Sequence, residues 1–181
     1  MNIIFRKVID SDLDILIEWL TSDKWPYHGI SRPDPEKIGA SFEEGYYNGN
    51  EAQTFWMILE TGERVGLIRI HDLLDYAPMF DLRIRSSHRG KGLGGKALKW
   101  LTEYIFKTWP DKWRIEGQTR NDNIAMRHVF RKCGYVKEAH YRKAWPAPGD
   151  ELYDSIGYGI LREDWEEGKI TPVNWNDEED T

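Results

Sequence analysis

The sequence predicts one α/β domain in which strands and helices share a hydrophobic core. Seven segments have the short apolar or alternating patterns of strands, and four segments repeat apolar residues at helical spacing. A chain of 181 residues with 40% hydrophobic residues is long enough to bury such a core. We therefore expect a single domain over residues 1–175, followed by an acidic, frayed tail at residues 176–181.

The first third of the chain is predicted to contain a strand, two helices and a loop. Residues 2–9 form the strand. Ser11 is a candidate N-cap for a helix over residues 13–20, where apolar side chains recur on one face. Prolines and glycine break residues 26–35 into a loop, and residues 36–47 form the second helix.

The middle of the chain predicts a hairpin, a further strand and a long helix. Residues 55–60 and 65–70 flank a turn at Gly62, which is a hairpin signal. Residues 79–85 form the next strand and lead into a glycine-rich turn. Apolar residues recur at helical spacing over residues 93–105, so the helix that follows buries one face.

The last third predicts three strands and a short helix. Residues 114–119 form a strand, and an apolar stripe over residues 126–133 predicts a helix that ends at Gly134. Residues 135–145 and 152–161 form two strands around a proline-rich turn. The chain has no repeat and no linker, which favours one domain.

The composition narrows the functional classes. A formal net charge of −6 argues against general nucleic-acid binding, and no apolar run is long enough to span a bilayer. The single cysteine, Cys133, excludes an internal disulfide and fits a reducing, cytoplasmic location. His, Cys and carboxylate residues do not cluster at metal-ligand spacings, so no metal is expected.

A basic segment stands out in this acidic chain. Between Asp81 and Glu103 there are six basic residues and no acidic ones. The six are Arg83, Arg85, Arg89, Lys91, Lys96 and Lys99. Within the segment, the glycine-rich turn at residues 89–94 precedes a helix, so its backbone amides and the helix N-terminus both favour an anion. The segment predicts a binding site for a phosphorylated small molecule.

Two familiar glycine motifs overlap this turn but lack their required context. Gly90, Gly92 and Gly95 satisfy the dinucleotide fingerprint, yet the strand before them is charged, whereas a central Rossmann strand is apolar. The segment from Gly90 to Lys96 also begins like a P-loop. Ala97 follows where magnesium coordination needs a Ser or Thr hydroxyl, so neither motif is favoured.

A third pattern, Arg/Gln-x-x-Gly-x-Gly/Ala, is met by Arg89, Gly92 and Gly94. About thirty residues later the chain reads Asn-Ile-Ala-Met-Arg-His-Val-Phe-Arg-Lys-Cys-Gly-Tyr, residues 123–135. The two motifs together resemble the GNAT superfamily of N-acetyltransferases, and most closely its bacterial ribosomal-protein branch. The resemblance covers nearly the whole chain. It implies a mixed, mostly antiparallel sheet of about seven strands, splayed at the cofactor site and flanked by helices.

The resemblance also implies that acetyl-CoA is the co-substrate. In the family, backbone amides of the turn matching residues 89–94 wrap the pyrophosphate, and the strand before the turn pairs with the pantetheine arm. Asn123 matches an asparagine that contacts the cofactor, although it is also a plausible helix cap. The expected cofactor-binding residues are Leu82, Arg83, Ile84, Arg85, Arg89, Gly90, Lys91, Gly92, Leu93, Gly94, Asn123 and Phe130.

The implied reaction is direct acetyl transfer to a primary amine, and it needs a base. Glu116 is the first candidate, with Gln118 on the same strand face, and Asp81 is the second. Each carboxylate could instead form a structural ion pair with a nearby arginine. Phe130 stands where many family members have a tyrosine acid, and Met126 stands where the ribosomal-protein branch has a serine. These two departures keep open a non-catalytic module that binds acyl-CoA.

The acceptor is expected between the early loop, residues 25–49, and the late hairpin, residues 145–154. Aromatic and acidic residues are frequent in both segments, which suits a small cationic amine or a peptide N-terminus. The same residues would equally suit core packing with solvated loops. Besides the acceptor, the expected partners are restricted to a second copy of the chain in a homodimer, without nucleic acid or membrane.

Overall fold

The structure is a computed structural model that describes residues 2–147 and 149–175. Seven strands form one sheet in the order β1-β2-β3-β4-β5-β7-β6. Their bounds are β1 Ile3–Lys7, β2 Gln53–Leu59, β3 Arg64–His71, β4 Met79–Ile84, β5 Arg114–Arg120, β6 Val136–Ala147 and β7 Glu151–Leu161. Only β4 and β5 pair in parallel, and the other neighbours are antiparallel. The predicted fold class is confirmed.

Helices cover the sheet, and each face has its own core. The helices are α1 Leu13–Thr21, α2 Pro35–Glu43, α3 Leu93–Thr108, α4 Ile124–Lys132 and α5 Arg162–Glu167. Buried residues of α1 and α2 pack on Trp56 and Leu67 of the sheet. Buried residues of α3 and α4 form a separate cluster with Ile68, Ile115 and Ile156. Helices α1 and α2 therefore lie on one face of the sheet, and α3 and α4 lie on the other.

The first helix begins differently from the sequence prediction. Ser11 is not the cap, because a short 3-10 turn at Asp10–Asp12 precedes α1. Asp12 closes this turn by accepting a hydrogen bond from the Ile9 amide at 3.1 Å, and its carboxylate also accepts one from Arg6 at 2.9 Å. The buried Asp12 therefore fixes the entry to α1.

The second helix is shorter than predicted. Asp34 accepts hydrogen bonds from the amides of Glu36 and Lys37, so α2 begins at Pro35 in a position that suits proline. The helix ends at Glu43, because Gly45 takes a left-handed φ of 80° soon after. The expected continuation to residue 47 is therefore wrong, and Tyr47 is instead buried against the sheet. Helix α5 was not predicted.

The sheet opens between its two central strands. Met79 of β4 and Glu116 of β5 are the one aligned pair of this parallel contact among the described residues. The Glu116 amide also donates to the Pro78 carbonyl at 3.1 Å. Beyond this point β4 and β5 have no aligned pairs, so the backbone groups of residues 80–84 that point away from β3 and those of residues 117–120 that point away from β7 face an opening. The expected splay is present.

Gly117 on β5 is required by the packing at this opening. A Cβ there would lie 2.7 Å from Phe130 and 2.9 Å from Phe80, far inside normal contact. We expect Gly117→Ala to lower the free energy of unfolding by about 1–3 kcal/mol, because both rings must shift. Urea unfolding tests this, with Gly95→Ala as control, since nothing lies within 4 Å of that helical position. Equal stability of Gly117→Ala and the wild-type protein would contradict this packing.

Across residues 2–147 and 149–175, no helix has the length and apolar character needed to cross a bilayer. The acidic tail expected at residues 176–181 lies outside the described residues.

Candidate active site

A cleft of about 790 Å³ lies where β4 and β5 separate. Its walls come from the segment between α1 and α2, the α2 helix, strands β3 to β5, the start of α4 and Trp145 of β6. Residues from both faces of β4 line it, since Asp81 and Arg83 alternate with Phe80 and Leu82. The cleft therefore reaches through the opening in the sheet.

The glycine-rich turn lies between β4 and α3. Gly90 and Gly92 have left-handed φ angles of 75° and 76°, which explains why glycine occupies both positions. Gly92 is the N-cap of α3 and has no side chain to cap it. The first amides of α3, from Leu93 to Gly95, have no intrahelical acceptor. A Cβ at Gly90 or Gly92 would find no atom within 4 Å, so the space around the turn is open.

Arg89 holds this turn in place. Its Nε donates to the Ile84 carbonyl at 2.9 Å and its Nη2 donates to the Lys24 carbonyl at 2.8 Å, while the guanidinium lies over the Trp25 ring. The side chain thus ties the turn to the segment after α1. Lys91 is exposed to solvent beside it. Of this pair, Lys91 is the more available to an incoming anion.

The other predicted cofactor residues on β4 and at the start of α3 divide into three groups. Leu82 and Arg83 line the cleft, whereas Leu93 places its side chain in the core. Ile84 packs on the same core. Arg85 is directed away from the cleft, because its Nη1 donates to the hydroxyl of Ser22 at 3.1 Å.

Asn123 and Phe130 both line the cleft. The Asn123 Oδ1 accepts from the Met126 amide at 3.2 Å, so this side chain caps α4, and its Nδ2 donates to the Thr119 hydroxyl at 3.0 Å. Phe130 is 1% exposed and stacks on Tyr158, with ring centroids 4.5 Å apart. Phe130 therefore contributes an apolar wall and offers no acidic hydroxyl.

Glu116 lies at the closed end of the opening. Its Oε1 is 3.0 Å from the Arg114 Nε, an ion pair without the alignment of a hydrogen bond, and Arg114 also contacts Glu138. Gln118 lies further along the same face and lines the cleft, where its Oε1 accepts from the Ser155 hydroxyl at 3.2 Å. The cleft lining within the described residues does not include Glu116.

Asp81 forms the centre of a charged group in the cleft. Its Oδ1 is 2.9 Å from the His28 Nε2, and its Oδ2 accepts from the Nη2 and Nε of Arg83 at 2.9 and 3.1 Å. Burial alone would raise the pKa of this carboxyl, but His28 and Arg83 together lower that pKa well below its usual range. Asp81 is therefore a firmly ionised group that orients its partners.

Two polar atoms of this group lack partners. The His28 Nδ1 and the Arg83 Nη1 are both buried, and neither has a hydrogen-bond partner among the described residues. An unsatisfied buried donor or acceptor costs about 1–3 kcal/mol, so each of these two atoms requires an explanation, and a role in catalysis is one. His28 was missed by the sequence analysis, since it lies in a loop 53 residues before its carboxylate partner.

A second histidine also lines the cleft. The His71 Nδ1 lies 3.0 Å from the Asp72 Oδ2. Burial, assisted by Arg69, lowers the pKa of His71 below its ordinary value, although Asp72 acts in the opposite direction. The imidazole of His71 is therefore neutral at pH 7. Nearby, burial raises the pKa of Tyr47 to about 12.

The acidic residues expected around the acceptor lie elsewhere. Trp145 is the contribution of the late hairpin to the cleft lining within the described residues, which lacks the acidic Glu43, Glu44, Asp150, Glu151 and Asp154. The early loop supplies much of one wall, including Tyr27. Within residues 2–147 and 149–175, no three His, Cys, Asp or Glu side chains are grouped to hold a metal ion.

Comparison with known sequences connects this site to a family. Residues 2–136 match the sequence model of the acetyltransferase (GNAT) domain. The uncharacterized N-acetyltransferase YnaD of Bacillus subtilis (strain 168) is 32% identical over 79 residues. The matched segment is 44% of this chain and 45% of YnaD, so the match covers less than half of this curated relative.

Solved structures share the fold. Spermidine N-acetyltransferase from Vibrio cholerae in complex with CoA and spermine has a TM-score of 0.79 at 18% identity, over 91% of this chain and 98% of that one. A dodecameric structure of the same V. cholerae enzyme, in an intermediate state, has a TM-score of 0.75 at 18% identity, over 90% and 95%. At this level of identity the likeness establishes the fold, and the ribosomal-protein branch stays a prediction.

Proposed function

This chain belongs to the GNAT acetyltransferase family, and we propose that it is an acyltransferase that moves an acetyl group from acetyl-CoA directly to a primary amine. The observation that carries the proposal is the opening between β4 and β5, since β4 lines the cleft and leads along the chain into the glycine-rich turn. A thioester reaching through this opening would meet an amine held in the cleft. A homodimer and a cytoplasmic location remain predictions.

The residues present fit coenzyme A. The turn at residues 89–94 offers open space and uncapped helix amides, which suit a pyrophosphate. Residues 80–84 of β4 present backbone groups that suit the amides of a pantetheine arm. Acetyl-CoA supplies a thioester carbonyl that a neutral amine can attack. The protein must then bind the amine, orient it and accept its proton.

We assign the proton acceptor to an imidazole, with His28 as the first candidate. His28 contacts the splayed strand itself through Asp81, and a neutral imidazole that donates from Nε2 has its lone pair on Nδ1. That nitrogen has no other described partner. Asp81, expected from the sequence to be a base, is better suited to positioning His28, because its low pKa makes it a poor proton acceptor.

Two other residues remain candidates for the same role. His71 lines the cleft as a neutral imidazole oriented by Asp72. Glu116, the first choice from the sequence, would have to act from the closed end of the opening while paired with Arg114. Glutamine variants of His28, His71 and Glu116 separate the three, since each keeps a polar side chain and removes basicity.

Thiol release tests the proposed function. The protein is mixed with acetyl-CoA and a panel of primary amines, and free thiol and acetylated amine are measured together. Both products are expected in equal amounts with at least one amine. Tight coenzyme A binding without release of thiol to any amine would contradict the proposal and favour the non-catalytic module.

Coenzyme A binding is expected to depend on the conformation at Gly92. Gly92→Ala should weaken acetyl-CoA binding at least tenfold, because an L-residue at this φ is strained and the turn must change shape. Gly62→Ala is the matched control, since Gly62 has a φ of 87° and equally open surroundings in the β2–β3 turn. Calorimetry measures both affinities. Equal weakening in the two variants would attribute the effect to general strain and contradict a phosphate site at Gly92.

A further inference from the structure

The cleft differs in charge from the protein around it. The chain has a formal net charge of −6, yet the cleft lining contains four cationic side chains and two carboxylates. The cations are Arg32, Lys37, Arg69 and Arg83, and the carboxylates are Asp34 and Asp81. Such a concentration of positive charge attracts anions and repels polycations.

Both carboxylates are already engaged. Asp34 accepts hydrogen bonds from the Glu36 and Lys37 amides at the start of α2. Asp81 is shared between His28 and Arg83. Little acceptor capacity is therefore left in the cleft for an additional ammonium group of a ligand.

The cations are less engaged. Among the described residues, Arg32, Lys37 and Arg69 form no ion pair with a carboxylate, whereas Arg83 is paired with Asp81 and its remaining Nη1 is buried. Arg69 is nevertheless fixed in position. Its Nε donates to the Tyr46 carbonyl at 2.7 Å and its guanidinium lies over the Tyr46 ring, 3.5 Å from the centroid. A guanidinium held this way has less conformational freedom to lose on binding an anion.

We propose that the acceptor amine also carries an anionic group, a carboxylate or a phosphate, which the basic wall of the cleft binds; Arg32, Lys37 and Arg69 form this wall. The proposal rests on the proposed function and names the substrate class of the same site. Arginine pairs with both oxyanions through two parallel hydrogen bonds, so this chemistry alone leaves both anions open. Arg69 and Asp81 lie opposite each other on β3 and β4, which brings the anion site close to His28.

A preference for an anionic acceptor would distinguish this chain from the spermidine N-acetyltransferase of V. cholerae, whose fold it shares. The V. cholerae structure contains spermine, which is a polycation. A polycation would face the cations of this cleft with few free carboxylates to bind it. We therefore expect polyamines to be poor acceptors for this chain.

Matched pairs of amines test the proposal. The effect of a carboxylate is measured by comparing tyrosine with tyramine and histidine with histamine. The effect of a phosphate is measured by comparing phosphoethanolamine with ethanolamine. Spermidine represents the polyamines. With acetyl-CoA, kcat/KM from thiol release should be at least tenfold higher for the anionic member of at least one pair. The pair showing the larger ratio identifies the anion.

Variants of the basic wall connect this preference to named residues. Arg69→Gln should reduce the preference for the anionic member of a pair at least fivefold, mainly through a higher KM for that member. Arg131→Gln, an exposed change on α4 outside the cleft, is the control and should leave the preference unchanged. If Arg69→Gln fails to fold, Lys37→Gln replaces it, because Lys37 is exposed on α2.

The outcomes distinguish this proposal from the function on which it rests. If the amines without the anionic group, or spermidine, are used as well or better, the proposal of an anionic acceptor is wrong and the proposed acetyltransferase activity stands. An anionic preference that survives both Arg69→Gln and Lys37→Gln also overturns the assignment to this wall. Absence of thiol release with every amine contradicts the proposed function itself.

Discussion

Replacing His28 with glutamine is expected to lower kcat by about 10²–10⁴-fold, the usual contribution of a positioned base. The glutamine amide can still donate to the Asp81 carboxylate, so the local structure and the KM for acetyl-CoA should change little. The defect should shrink at high pH, where more of the acceptor amine is already deprotonated. Steady-state kinetics between pH 6 and pH 9 measure this.

A second His–Asp pair provides the control for this experiment. His140 lies 2.7 Å from Asp154 on the exposed β6–β7 hairpin and is absent from the cleft lining. His140→Gln should therefore leave kcat unchanged. Wild-type turnover of His28→Gln across the whole pH range would exclude His28 as the base, and His71→Gln would then be the next test.

Asp81→Asn is expected to lower the free energy of unfolding by about 3–5 kcal/mol at pH 7. The amide would leave the Arg83 guanidinium without its anionic partner, and the Arg83 side chain is only 15% exposed. Glu103→Gln on α3 is the matched control. It removes an exposed ion pair with Lys107 and should cost less than about 1 kcal/mol.

The effect of Asp81→Asn on the free energy of unfolding should depend on pH, because it depends on the pKa of Asp81. The folded protein lowers that pKa, so Asp81 contributes its stability above the unfolded value of about 4 and loses it as the pH falls. The difference in the free energy of unfolding between the wild-type protein and Asp81→Asn should therefore be largest at pH 7 and should decrease progressively below about pH 4. Urea unfolding across this range measures it. A constant gap would show that the Asp81 charge is not what stabilises the fold.

The fold was largely predictable because its signals are local. The alternating pattern of β4 and the apolar stripe of α3 each lie within one element, and both elements begin at the predicted residues, Met79 and Leu93. The errors occurred where packing overrides local pattern. Residues 44–47 continue a helical composition, but Gly45 ends α2 and Tyr47 packs onto the sheet instead.

The candidate site was predictable only in part, for the same reason. The turn at Gly90 and Gly92 was predictable because both glycines have left-handed φ angles, which favour glycine in the sequence. The sequence predicted that Glu116 shares a strand face with Gln118. Whether Glu116 lies inside the opening, however, depends on where β4 and β5 stop pairing, which the sequence does not show. The contact between His28 and Asp81 is tertiary, and nothing in the residues around His28 signals it.

The separation of β4 and β5 also creates a hazard for the protein. Above Met79 and Glu116, each strand has a free edge in the middle of the sheet, and free edges invite pairing with a strand of another molecule. Charged residues at such edges discourage that pairing. Asp81 and Arg83 on β4 and Arg120 on β5 lie along these edges, so their charges would disfavour such pairing as well as serve the cleft.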